Sequence, residues 1–130
     1  MSSRLDDCGC VFCAMAQEHI IFANGLAFAV RDTTPATPLH TLILPRRHVA
    51  SYFDLAGAEH GAIQTLIETV RIDILARDPG IQGFNIGINV GEMAGQTIFH
   101  CHVHLIPRRV GDVADPRGGV RAIIPGKASY

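Results

Sequence analysis

The sequence has no run long and apolar enough to span a bilayer. Its N-terminus offers charges followed by cysteines where a secretory leader would place a hydrophobic stretch. These absences argue against a membrane protein or an exported one and lead to the expectation of a cytoplasmic protein. There is no excess charge: 11 basic against 12 acidic residues leave a net charge of −1, and the pI is near 6.6. That balance gives no general case for a nucleic acid or a membrane surface as partner. Cysteine is sparse, four in 130 residues, too few for a disulfide scaffold in a chain that is 48% hydrophobic and can build its own core. Internal repeats, low-complexity runs, linkers and strand–helix–strand alternation are all missing. What these absences leave is one α+β domain over residues 1–130: a cysteine-bearing N-terminal segment, an antiparallel sheet with helices packed on it, and a tail.

The elements follow from pattern. A helical turn is expected over 14–19. Strands are expected over Ile20–Phe22, Leu26–Arg31, Leu39–Leu44 and Phe84–Asn89, punctuated by Asn24-Gly25 and by the prolines at 35, 38 and 45. Between them Ile63, Leu66, Ile67, Val70 and Ile74 recur on one face of a helix running from Leu55 to about Arg77, with Asp54 as its expected N-cap and Asp78-Pro79-Gly80 as its stop. Val110–Tyr130, with Gly118-Gly119 and Pro125-Gly126, is expected to lie extended over the surface or over a partner subunit. Ten of the eleven basic residues are arginine, and Arg46, Arg47, Arg108, Arg109, Arg117 and Arg121 lie in or just after predicted strands. Guanidinium suits phosphate; solvated surface residues are the alternative.

The informative stretch is Gly95–Arg109. In it His100, His102 and His104 alternate with Cys101, Val103 and Leu105. A strand would put the three imidazoles on one face, about 6.6–6.8 Å apart, with the apolar residues behind them. Three readings remain open. The histidines are hydrogen-bonded or solvated side chains, or ligands of a catalytic metal, or one of them is a nucleophile. A neutral imidazole can present a ring nitrogen to phosphorus, while a neighbouring His, the Thr97 hydroxyl and amides of the glycine-bearing loop 90–95 stabilise charge. Cys10-Val-Phe-Cys13 suggests metal binding or redox chemistry in a reducing compartment.

At this level of detail the chain resembles the histidine triad (HIT) family, whose signature is His-x-His-x-His followed by apolar residues. The likeness also takes in Gly95–Phe99, Ile106-Pro107-Arg108, Asp32–His40 and Leu44–His48. The Cys10–Cys13 opening resembles bacterial zinc-containing members, and the tail Gly111–Arg121 looks like members labelled diadenosine polyphosphate hydrolase-like. The resemblance implies a HIT-like fold of about five antiparallel strands with one long helix and a short one, and a homodimer. The implied activity is hydrolysis or transfer at the α-phosphate of a small nucleotide, a dinucleoside polyphosphate or a nucleoside phosphoramidate, with no catalytic metal required.

Carried over by position, the resemblance makes His102 the nucleophile. His104 and His40 become contacts to phosphate oxygens or the leaving group, Gln96 and Thr97 phosphate partners, Asn89 a neighbour of the phosphate, and Asp32 the ribose ligand. It also implies a structural zinc held by Cys10, Cys13, His48 and His100. Cys8 is a substitute ligand by its place in the sequence, and Cys101 reads more simply as a buried small residue. Leu39 departs from the pattern, standing where many members have glycine. The runner-up function is a non-catalytic nucleotide-binding or adaptor module on the same fold.

Overall fold

The structure is a computed structural model, and it describes residues 10–15 and 17–129. Cys8 and Ala16 therefore lie outside the described residues, and within the helical turn expected over 14–19 a 3-10 turn occupies Gln17–His19. Five strands follow the expected order: β1 (Ile20–Ala23), β2 (Ala27–Arg31), β3 (Thr41–Pro45), β4 (Gly83–Gly87) and β5 (Val103–Arg108). They form one antiparallel sheet in the order β1-β2-β3-β5-β4. Asn24 closes the first hairpin, its side-chain oxygen accepting the amides of Leu26 and Ala27 at 3.1 and 2.9 Å. β3 sits in the middle and is buried at all five positions, as its continuous apolar run requires.

The helix α1 (Gly57–Arg77) covers one face of the sheet. Ile63, Leu66, Val70 and Ile74 pack there with Ala27, Ala29, Ile43, Cys101, Val103 and Leu105. Burying those four helical side chains is worth roughly 6–12 kcal/mol of transfer free energy. The N-cap differs from expectation. Ala56, not Asp54, precedes the helix, and the buried Glu59 carboxylate accepts the Ala56 amide at 2.8 Å. A glutamate at the third helical position does the work assigned to a short polar cap. The opposite face of the sheet carries a smaller cluster, Phe12, Phe28, Val30, Leu42 and Leu44, against which Cys10, Met15 and Ile98 pack. No helix among the described residues is long and apolar enough to cross a membrane.

The histidine strand is shorter than its sequence suggests. β5 begins at Val103, so His104 alone of the three histidines lies in the ladder. The cause is Pro45. The β3–β5 pairing runs from Thr41↔Leu105 to Ile43↔Val103, and continuing it would bring Pro45, which has no N–H, opposite Cys101. The Cys101 amide donates instead to Val49 at 2.7 Å. The alternation nevertheless survives: Cys101, Val103 and Leu105 all enter the helix-side core.

Beyond β5 a 3-10 turn, Gly119–Ile123, lies against β4. Gly118, at φ 88°, lets the tail close on itself; a Cβ there would stand 1.7 Å from the carbonyl oxygen of Ala128.

Candidate functional site

Each of the three histidines is oriented by a different partner. The His100 ring is fully buried, and its Nε2–H donates to the carbonyl of Pro45 at 2.8 Å. That leaves Nδ1 unprotonated and pointing at two cysteine sulfurs, 3.5 Å from Cys13 Sγ and 3.7 Å from Cys10 Sγ. His48 Nδ1 lies 3.1 Å from Cys13 Sγ. The donor atoms of Cys10, Cys13, His48 and His100 all fall within 4.8 Å of one another.

Tetrahedral zinc, with Zn–S near 2.3 Å and Zn–N near 2.05 Å, sets its donors roughly 3.4–3.8 Å apart. Of the four sulfur–nitrogen pairs, the two made by His100 lie in that range and Cys13–His48 is slightly shorter. The structure holds Cys13 in a disulfide, and with that sulfur reduced two cysteines and two imidazoles match the donor chemistry zinc takes. The group is thus compatible with a structural zinc, which would tie the N-terminal segment to the sheet.

His102 is held differently. Its Nδ1–H donates to the carbonyl of His100 at 2.8 Å, so the lone pair is on Nε2. The ring stacks at a tilt against Phe12, centroids 5.0 Å apart, and lines a cleft of about 320 Å³. The third histidine, His104, belongs to a pair. The buried His40 accepts the Ala36 amide on Nδ1 at 2.9 Å, so its Nε2 carries the proton and donates to His104 Nδ1 at 3.0 Å. His104 in turn keeps its own proton on Nε2. Burial is the main force pushing His104 down to about 4, helped by the neighbouring imidazoles and opposed by Asp32. Burial lowers His40 as well, again against Asp32, whose Oδ2 is 3.5 Å from His40 Nε2. Both imidazoles are therefore neutral near pH 7. Asp32, His40 and His104 also group their donor atoms within 4.8 Å, though a direct 3.0 Å hydrogen bond already joins the two rings.

The other expected site residues are spread around these histidines. Asp32, Asn89 and Thr97 line the His102 cleft. Asp32 Oδ1 accepts the Thr34 amide at 2.9 Å, and the Asp32 amide bonds His40 across the mouth of the 32–40 loop. Gln96 is buried, and backbone groups use its side-chain amide: Oε1 accepts from Gly91, and Nε2 donates to Ala50 and Ile98. It therefore ties the 90–95 loop to the segment after β3.

Leu39, the departure from the family pattern, keeps a left-handed backbone at φ 74°. None of the six arginines singled out in the sequence lines the His102 cleft, because carboxylates or carbonyls hold them elsewhere; Arg47 pairs with Glu59, Arg108 with Asp112, Arg109 with Asp78 and Arg117 with Asp115. The arginine that does reach it is Arg31, itself paired with Asp73. Sequence reading also missed Phe12, Met15, Val30 and Leu42 as cleft walls. Only Phe12, set between the two cysteines, carried a signal that could have found it.

An antiparallel sheet backed by one helix, with ordered imidazoles on its open face, defines a small α+β protein equipped for imidazole chemistry. The comparisons make the class specific: the HIT domain model matches residues 14–111, and the chain belongs to that family. A HIT-like protein of Mycobacterium tuberculosis is 39% identical over 111 residues, 79% of this chain and 74% of that one. A zinc-bound histidine triad family protein from Mycobacterium smegmatis superposes with a TM-score of 0.70 at 34% identity, covering 82% of this chain and 80% of that one. A Plasmodium falciparum diadenosine triphosphate hydrolase does so with a TM-score of 0.68 at 26% identity, covering 78% and 68%.

Proposed function

We propose that this HIT domain is a nucleotide hydrolase or nucleotidyl transferase that cleaves at the α-phosphate of a small nucleotide through a nucleotidyl-histidine intermediate. The observation that carries the reading is the His102 tautomer. With Nδ1–H bound to the His100 carbonyl, Nε2 presents a lone pair in the cleft and needs no base to activate it. The His102–phosphorus bond forms as the bond to the leaving group breaks, and water later displaces the histidine. The His104 Nε2–H and the Thr97 hydroxyl are donors for the phosphate oxygens, Asn89 lies beside them, and Asp32 accepts from ribose hydroxyls.

Gln96 acts by holding the loop. Leaving-group contacts fall to His40 and His104. Cys10, Cys13, His48 and His100 hold a structural zinc, whose chemistry is to cross-link the chain, and no step of the transfer runs through it. A cytoplasmic homodimer in which residues 1–130 act as one domain belongs to the same reading.

The test is incubation with adenosine 5′-phosphoramidate and with diadenosine tetraphosphate. The expected result is AMP release that the wild type gives and His102→Asn does not, with AMP covalently attached to wild-type protein after rapid acid-free quenching. Wild-type turnover by His102→Asn removes the nucleophile assignment. Nucleotide binding without turnover by the wild type leaves the adaptor reading. The Asp32–His40–His104 donor group favours one further reading, a catalytic metal; fast, reversible loss of turnover on chelation with the fold intact would establish it.

A further inference from the structure

The His40–His104 pair depends on a loop that is braced from outside the histidine face. Within loop 32–40 the Ala36 amide donates to His40 Nδ1 at 2.9 Å, which leaves the His40 proton on Nε2 for His104. Two further bonds hold the next two residues. The Thr37 hydroxyl donates to the Pro107 carbonyl at 2.7 Å, and Arg109 Nη2 donates to the Pro38 carbonyl at 3.0 Å. Arg109 is itself fixed, its Nε donating at 2.9 Å to Asp78, the residue that ends α1. Arg109 Nη1 is buried with no hydrogen-bond partner among the described residues, a desolvation cost that an arginine left in water would not carry.

The brace stands where the sheet stops holding the chain. The β3–β5 register ends at Thr41↔Leu105, and continuing it would set Leu39 opposite Pro107. Leu39 has a left-handed backbone at φ 74° and Pro107 has no N–H, so the ladder goes no further. The Thr37 hydroxyl meets the Pro107 carbonyl instead, a side-chain bond in place of a backbone one.

We infer that Thr37 and Arg109 are positioning residues: by clamping residues 36–38 to the end of β5 they keep the Ala36 amide on His40, and so fix which nitrogen of His104 carries the proton. The inference rests on the nucleotidyl-transfer reading above, in which His104 Nε2–H donates to a phosphate oxygen. Neither residue lines the His102 cleft. They act through a succession of single-proton choices. With the Ala36 amide withdrawn, His40 Nδ1 loses its donor and takes the ring proton itself. His40 Nε2 then becomes an acceptor, His104 donates to it from Nδ1, and His104 Nε2 turns a lone pair toward the phosphate. A donor to the developing charge is replaced by a repulsion, while the other substrate contacts stay as they were.

The test sets Thr37→Val, which removes the hydroxyl at nearly equal volume, against Thr37→Ser, which keeps it, and Arg109→Leu against Arg109→Lys. Arg71→Leu, which removes a half-exposed arginine paired with Glu68 on α1, is the control. Nitrogen NMR separates the protonated from the unprotonated ring nitrogen of His104, and steady-state turnover of adenosine 5′-phosphoramidate gives kcat and KM separately. Thr37→Val and Arg109→Leu should each populate a second His104 tautomer, protonated on Nδ1. Each should lower kcat about tenfold, the upper end of what one neutral hydrogen bond supplies, with KM within about twofold of wild type. Thr37→Ser should restore the spectrum and kcat. Arg109→Lys, which can reach the Pro38 carbonyl or Asp78 but cannot fork to both, should recover part of kcat. Arg71→Leu should change neither readout.

A wild-type His104 tautomer in both Thr37→Val and Arg109→Leu overturns the inference even where the melting temperature falls, because a merely structural brace lowers stability without moving the proton. A raised KM at unchanged kcat overturns it too, since it puts the two residues in substrate binding. Should Arg109→Leu fail to fold, the two Thr37 variants decide alone. No turnover by the wild type removes the transfer reading, and the nitrogen spectra, which need no turnover, then decide the clamp by themselves.

Discussion

Replacing Glu59 by glutamine tests how the sheet's far end is held in place for the site. Glu59 is only 4% exposed. It accepts Arg47 Nε at 3.1 Å, Arg47 Nη2 at 2.8 Å and the Ala56 amide at 2.8 Å. It thereby fastens residues 45–56 to the start of α1. That segment carries His48, the Val49 carbonyl that binds the Cys101 amide, and the Ala50 carbonyl that binds Gln96.

In Glu59→Gln one acceptor oxygen becomes an NH2 group facing N–H donors, and the remaining bonds lose their charge assistance. Hydrogen bonds to charged groups are worth about 1.5–3 kcal/mol. Arg47 is half exposed and regains water, so the cost to the buried carboxylate end sits low in that range, about 2 kcal/mol. With an unfolding entropy near 2.1 cal/mol/K per residue, this corresponds to a melting temperature lower by about 7 °C. The sign of the pH dependence follows from Arg47, which holds the carboxyl below its ordinary value near 4.5 with help from the Ala56 amide. The carboxylate's contribution is full above about that pH and fades as pH falls through the lowered folded value. Thermal melts followed by circular dichroism should show a constant gap between variant and wild type near neutrality, closing in acid. A gap under about 2 °C near pH 7, or one that widens in acid, would refute the reasoning.

Three further outcomes are expected. The His104 imidazole, pushed down to about 4, should keep a neutral-form proton NMR shift through pH 5–8; because its folded value lies below the ordinary 6.5, it costs the protein stability as pH falls from 6.5 toward 4, and a titration midpoint above 6 contradicts the burial argument. At Leu39 the left-handed backbone costs about 1–2 kcal/mol, so Leu39→Gly should be near neutral as relief offsets lost packing, while a β-branched Leu39→Val should be less stable than Leu39→Gly by more than about 1 kcal/mol in chemical denaturation; equal stabilities would count against that φ. Protein purified without added metal should carry about one zinc per chain, lost in Cys10→Ser/Cys13→Ser with a lowered melting temperature; unchanged zinc removes the ligand set.

How much of this was legible beforehand depends on what each residue's neighbours in sequence reveal. The helix was readable because Ile63, Leu66, Val70 and Ile74 repeat at its own period and meet the sheet at those same positions. The start of β5 was not, because the alternation of His100–His104 says nothing about Pro45, which stops the ladder 55 residues earlier in the chain. The cap was misplaced for a local reason: Asp54 looks right in isolation, but the Ser51 side chain accepts the Phe53 amide, and a 3-10 turn at Tyr52–Asp54 intervenes before the helix. Gln96 and Thr97 are adjacent and both polar, yet one is buried among backbone groups and the other faces the cleft; only the 90–95 loop conformation, with Gly91 and Gly95 at positive φ, separates them. The tail's closure at Gly118 against Ala128 was hidden too, a contact no spacing rule encodes.

The same limit explains why three identical side chains two residues apart are not chemically equivalent. An imidazole has one proton and two nitrogens, and whichever nitrogen finds a fixed partner decides what the other can offer. At His100 a carbonyl accepts the Nε2–H, so Nδ1 faces the cysteine sulfurs. At His102 a carbonyl takes the Nδ1 proton, so Nε2 holds a lone pair. At His104 the partner is a donor, His40, so Nε2 keeps a proton to give. Two acceptors are main-chain carbonyls, of Pro45 and of His100 itself, so the point where β3 and β5 part company is also what assigns the tautomers. Shortening the ladder at Pro45 is therefore part of how the histidines come to present a nitrogen facing two sulfurs, a lone pair and a proton donor in succession along five residues.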